Sequence, residues 1–177
     1  MRIINTFYYL TLAGIFFALK LGYVYCNDQD LYFLLKPTDT LIGLITNSFS
    51  EFIPEQGFFH PDLNMIINKS CSGFNFLILC FLMLTVLFLQ FSVTPSQKAA
   101  AFPLALLTAY MVTIFANTSR IATALFLRPY TTRFYHWESV LHQAEGAFVY
   151  LAFLTATYLI SHTILSKFSL THNEKPA

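Results

Sequence analysis

Four apolar runs, each long enough to cross a hydrocarbon layer, dominate this sequence. They cover residues 3–25, 73–93, 99–127 and 142–165. About 20 apolar residues in a helix span a layer roughly 30 Å thick. A soluble domain of this size has no interior large enough to bury four such runs. Charge content agrees: charged residues make up 11% of the chain, against about 25% in soluble domains. The expected fold is all-α, a polytopic membrane helix bundle of about four transmembrane helices, with five or six as the upper bound. The length fits a single membrane domain, 1–177, with no room for a separate water-soluble catalytic domain. Chemistry must then sit on the spans or on their short connections.

The first run begins after Arg2 like a signal peptide. It is long enough to span and lacks a small-x-small cleavage site, so it reads as a retained helix. Lys20 lies near its far end and can snorkel. Residues 94–98 connect the second and third runs, which predicts antiparallel neighbours. Residues 26–70 form the longest stretch outside the spans. Within it, Leu41, Leu44, Ile45, Phe49 and Phe52 recur at helical spacing, predicting an interfacial amphipathic helix over 40–53. Pro54, Gly57 and Pro61 then break the chain, and residues 64–68 read as a short extended piece. The balance of Lys and Arg between the two sides is even. The signal-like start places the N-terminus inside, which makes 26–70 an extracytoplasmic loop. The tail, 171–177, is polar and expected to fray.

Three polar positions share one membrane depth on this path. Cys71 precedes the second span at its outer end. Arg120 lies 21 residues above the inner start of the third span, about 32 Å up a helix. His142 opens the fourth span, again from outside. All three would move together if the topology were reversed. A thiolate is a strong acyl-transfer nucleophile, and a helix start stabilises it through unpaired N–H groups. Ser70-Cys71-Ser72-Gly73 supplies that setting, with serines able to cap. An imidazole can take the thiol proton and return it to a leaving amine. A guanidinium can donate to an oxyanion, or bind a carbonyl or carboxylate. Asn117 lies three residues before Arg120 on one helical face, and Glu145 lies three after His142, placed to orient it. Gly146 leaves space for another backbone.

The remaining polar residues read as structural. His60, His136, His162 and His172 are scattered, with no HExxH or zinc spacing, so no metal and no cofactor is expected. Cys26, Cys71 and Cys80 form no CxxC pair, and Cys80 reads as a core thiol. Arg128, Arg133, Tyr130, Tyr135 and Trp137 read as an interfacial anchor. A net charge of +1 with no basic stripe excludes a nucleic-acid partner.

The run Ser70-Cys71-Ser72-Gly73-Phe74-Asn75-Phe76 resembles the Cys-Ser-Gly signature of the exosortase/archaeosortase family. Ala116-Asn117-Thr118-Ser119-Arg120-Ile121 resembles its Asn-x-x-Arg-Ile motif, and His142-x-x-Glu145-Gly146 its His motif. The three occur in the family's order, across about residues 64–150. The chain is shorter than many members, and its length resembles exosortase K. The resemblance implies a membrane cysteine transpeptidase with catalytic Cys71, Arg120 and His142, supported by Asn117, Glu145 and Gly73. It implies a multi-pass protein of the cytoplasmic (inner) membrane with its site facing outward. Its partners would be membrane lipid and exported proteins ending in a short motif, a hydrophobic helix and a basic tail. Such a substrate would be cut through a thioester and passed to an acceptor. The competing reading is a non-catalytic polytopic protein, an assembly or transport subunit, in which Arg120 and Glu145 pair within the membrane.

Overall fold

The computed structural model describes the backbone of residues 2–131 and 138–173, and side chains within 6–129 and 143–168. The helices are α1 (Arg2–Tyr25), α2 (Tyr32–Thr46), α3 (Phe74–Phe91), α4 (Pro95–Thr131) and α5 (Glu138–Asn173). Four of them, α1, α3, α4 and α5, are long and apolar enough to cross a membrane. The chain is an all-α polytopic membrane bundle carrying one small sheet. Two compact units emerge. One contains residues 1–24, 75–112 and 154–177, the other residues 25–74 and 113–153.

The first unit centres on α3, whose Ile78, Cys80, Leu84 and Leu87 are buried. Ala101, Ala105 and Ala109 recur every fourth residue on α4 and are buried too. In lipid, such small side chains allow the close helix contact that drives packing. α4 begins inside the expected connection, with a capping box. Gln97 N–H donates to Thr94 Oγ1 at 3.3 Å, and Gln97 Oε1 accepts from Val93 and Thr94 N–H at 2.9 and 3.1 Å. Pro95, whose missing N–H is harmless at a first helical position, starts the helix. The connection is therefore shorter than the expected 94–98. On α1, Lys20 Nζ donates to Asn75 Oδ1 at 2.7 Å.

The second unit departs more from expectation. The helix predicted over 40–53 starts earlier and ends earlier, as α2. Asn47 terminates it in the left-handed conformation, φ 52°, with its N–H on Gly43 O. The chain then forms a three-stranded antiparallel sheet, β1 (Glu51–Ile53), β2 (Gly57–His60) and β3 (Met65–Ile67), in that order. The expected extended piece is β3. Glu51 pairs with Phe59, and Phe58 with Ile67. Gly57 allows the tight first hairpin: its φ is +98°, and a Cβ there would collide with the Ile67 carbonyl. Tyr32, Phe52 and Phe58 rings, 4.9–5.6 Å apart, pin α2 to the sheet.

Of the expected interfacial anchor, Arg128 donates to Leu63 O at 3.0 Å, tying α4 to the turn before β3. Arg133, Tyr135, His136 and Trp137, with the side chains of Tyr130 and His172, lie outside the described residues. So does the end of the tail, 174–177; α5 continues to Asn173.

Gly57→Ala should destabilise the second unit by about 1–3 kcal/mol, through left-handed strain and a backbone clash. A lowered thermal-shift midpoint of the purified chain is the measurement.

Candidate active site

Cys71 lies where the sheet hands over to α3. It ends a short 3-10 turn, Lys69–Cys71, that Asn68 caps by accepting from Ser70 N–H at 3.1 Å. Two interactions anchor that turn to the stretch after α1. Lys69 N–H donates to Asp28 Oδ1, and Lys69 Nζ to the Cys26 carbonyl at 2.7 Å. Ser72 accepts from Phe74 N–H at 3.3 Å, so one of the expected capping serines does serve the start of α3. Cys71 itself is half-buried, with its Sγ 3.7 Å from Ser70 Oγ. Because Ser70 commits its hydroxyl hydrogen to Asn68 Oδ1, at 2.7 Å, it presents a lone pair to the thiol.

Gly73 is required here. Its φ is +72°, and a Cβ would press within 3.1–3.2 Å of Asn117 and Thr113. Its absence of side chain brings the Cys71 turn against α4, where Asn117 is fully buried. The Asn117 amide donates from Nδ2 to the Cys71 carbonyl at 2.5 Å and accepts at Oδ1 from the Tyr150 hydroxyl at 2.7 Å. Arg120 then donates from Nη1 to Tyr150 Oη at 3.3 Å, with its guanidinium carbon 5.5 Å from the centre of the Tyr150 ring. A continuous polar path thus runs from the Cys71 backbone through Asn117 and Tyr150 to Arg120.

Gly146 shapes the other wall. A Cβ at that position would meet Arg120 Nε at 2.8 Å, so the glycine admits a guanidinium side chain, not the backbone expected there. Positions 142, 146 and 150 follow one another at four-residue spacing and share a face of α5. The side chain of His142 lies outside the described residues. Glu145 is half-buried.

A second polar cluster in this unit was not legible in the sequence. Asp39 of α2 and His60 of β2 are buried, with His60 Nε2 3.0 Å from Asp39 Oδ1 and His60 Nδ1 2.8 Å from Ser48 Oγ. The connectivity resembles a Ser-His-Asp triad, but hydrogen placement argues for a clamp. Thr46 spends its hydroxyl hydrogen on Ile42 O, so at the 2.7 Å contact Ser48 donates to Thr46. Ser48 therefore offers His60 a lone pair, whereas a serine nucleophile must offer its base a proton. Lys36 adds a 3.0 Å bond to Asp39 and lies over the Phe58 ring. The cluster locks α2 onto the sheet. His60, which read as one of several scattered histidines, is its centre.

These features describe a multi-pass membrane protein that wires a cysteine turn to a guanidinium through buried polar side chains. The chain belongs to the transmembrane exosortase family, whose model matches residues 47–159, more than half of its length. No curated protein and no solved structure gives a match. The family's members are membrane cysteine-type transpeptidases that act on exported proteins bearing sorting signals, so membership supports a role of that general type here. The matched segment contains Cys71, Asn117, Arg120, His142 and Tyr150. Sequence reasoning had singled out all of these except Tyr150. The available signal was its place two turns after His142 on the Gly146 face.

Three substitutions test this description. Gly146→Ala should force Arg120 aside and depress any activity at the site far more than it lowers thermal stability. His60→Ala should cost about 2–3 kcal/mol by stranding part of the Asp39 carboxylate, with Lys36 limiting the loss. Ser48→Ala should leave activity in place, which separates a clamp from a nucleophile.

Proposed function

We propose that this protein is a membrane cysteine transpeptidase that cleaves a C-terminal sorting signal and transfers the exported protein to an acceptor. Cys71 Sγ attacks the scissile carbonyl while His142 takes the thiol proton. Arg120 donates hydrogen bonds to the tetrahedral oxyanion, where a preorganised cation in a low-dielectric setting is most effective. Collapse breaks the C–N bond and leaves a thioester on Cys71. His142 returns its proton to the leaving amine, which departs with the hydrophobic helix and basic tail. An acceptor amine or hydroxyl then attacks the thioester, gives its proton to His142, and regenerates the thiol.

The observation that carries this reading is the path from the Cys71 carbonyl to Arg120, two motif residues 49 positions apart joined through only two side chains. The shared face of positions 142, 146 and 150 supports the imidazole's part. Gly73, Asn117 and Glu145 are supporting residues: Gly73 admits Asn117, Asn117 fixes the cysteine turn, and Glu145 orients His142. The substrate's own helix enters the lipid beside the spans. We place the protein in the cytoplasmic (inner) membrane with the site facing outward, as one membrane domain, and its size resembles exosortase K.

Cys71→Ala, Arg120→Ala and His142→Ala should each abolish processing of a co-expressed substrate ending in a motif, an apolar helix and a basic tail, at unchanged insertion. The Arg120 variant should lose on the order of 3 kcal/mol of transition-state stabilisation. Continued processing by Cys71→Ala at the wild-type rate would reject the reading.

A further inference from the structure

We propose that Tyr150 is a positioning residue of this site, its single hydroxyl setting where the Arg120 guanidinium stands relative to the cysteine turn. The role in catalysis rests on the transpeptidase reading; the placement of Arg120 does not.

Hydrogen accounting fixes the direction of every bond. The Asn117 NH2 group donates to the Cys71 carbonyl, so its oxygen faces Tyr150. An amide oxygen only accepts, so Tyr150 must spend its one hydroxyl hydrogen there. The phenolic oxygen is then left with lone pairs, and Arg120 Nη1 fills one of them. The cation polarises the phenol, the phenol polarises the amide, and the amide holds the carbonyl. Successive bonds of one sense strengthen each other in a low-dielectric interior.

Two features make the tyrosine decisive for the arginine. Tyr150 holds Arg120 twice, by the hydroxyl and by the ring face at 5.5 Å. No described side chain other than Tyr150 hydrogen-bonds Arg120 or pairs with it. A guanidinium has five N–H donors, and among the described residues one of them is used for location. A carboxylate partner would have competed for that charge; a phenol positions it without neutralising it. Gly146, one turn before Tyr150, supplies the space in which the guanidinium lies.

The test uses the full chain in membranes, in a Cys26→Ser, Cys80→Ala background so that Cys71 is the one thiol. Mixed-disulfide formation at Cys71 by an anionic and a neutral thiosulfonate of similar size, each releasing its sulfinate, is measured, and the ratio of rates reports a cation held beside the thiol. Arg120→Gln should lower that ratio by about threefold or more. Tyr150→Phe should lower it nearly as far while the neutral reagent's rate stays unchanged, since the ring remains and only the hydroxyl is lost. With a cognate substrate, Tyr150→Phe should reduce kcat by about 10–100-fold and leave KM within about twofold. A Tyr150→Phe ratio equal to that of the parent chain overturns the proposal. So does a Tyr150→Phe kcat equal to that of the parent. If Cys71→Ala still processes substrate, the transpeptidase reading fails, and the thiosulfonate rate ratio still decides the role of Tyr150.

Discussion

A buried amide that must be satisfied on both ends organises the second unit of this protein. Asn117 is fully buried on a helix apolar enough to cross a membrane, and an unpaired amide in such a setting costs several kcal/mol. Its two partners come from parts of the chain 46 residues before it and 33 residues after it. Satisfying one side chain therefore fixes the cysteine turn and α5 against α4. The same requirement leaves Tyr150 with an oxygen to offer, and so locates Arg120.

Two glycines make that arrangement sterically possible, each for a different reason. Gly73 takes a left-handed backbone and lets the turn approach Asn117. Gly146 is a helical residue whose missing Cβ leaves space for Arg120 Nε. Small residues at close approaches are the usual means by which membrane helices trade side-chain volume for contact. Here the space admits functional groups as well as backbones.

The sheet and α2 form a platform for the cysteine turn. β3 leads straight into the turn, and Asp28 and Cys26 bind its first residue, Lys69. Behind β2, the Asp39–His60–Ser48 cluster and the Tyr32, Phe52 and Phe58 rings hold α2 in place. A fully bonded buried polar network rigidifies its surroundings, because each member leaves a costly unpaired group if it moves. The nucleophile proposed at Cys71 would need such support, since misplacement by about 1 Å can cost 100-fold in rate.

The four spans follow from the sequence alone, since a long apolar stretch with few charges has only one favourable solvent. The family motifs likewise mark Cys71, Asn117, Arg120 and His142 in the sequence itself. The boundaries of α2 are not legible in the pattern, because Leu41 to Phe52 keeps helical spacing past Asn47, where a left-handed residue ends the helix ahead of β1 at Glu51. The Asp39–His60 contact joins residues 21 apart on a helix and a strand, and no periodicity encodes it. Tyr150 was one of ten tyrosines; only the rotation of α5 against α4 decides that this one faces Asn117 and Arg120. Local pattern determines which segments are apolar and which are helical. Partners for buried polar atoms depend on how those segments turn toward one another, and that was settled by packing.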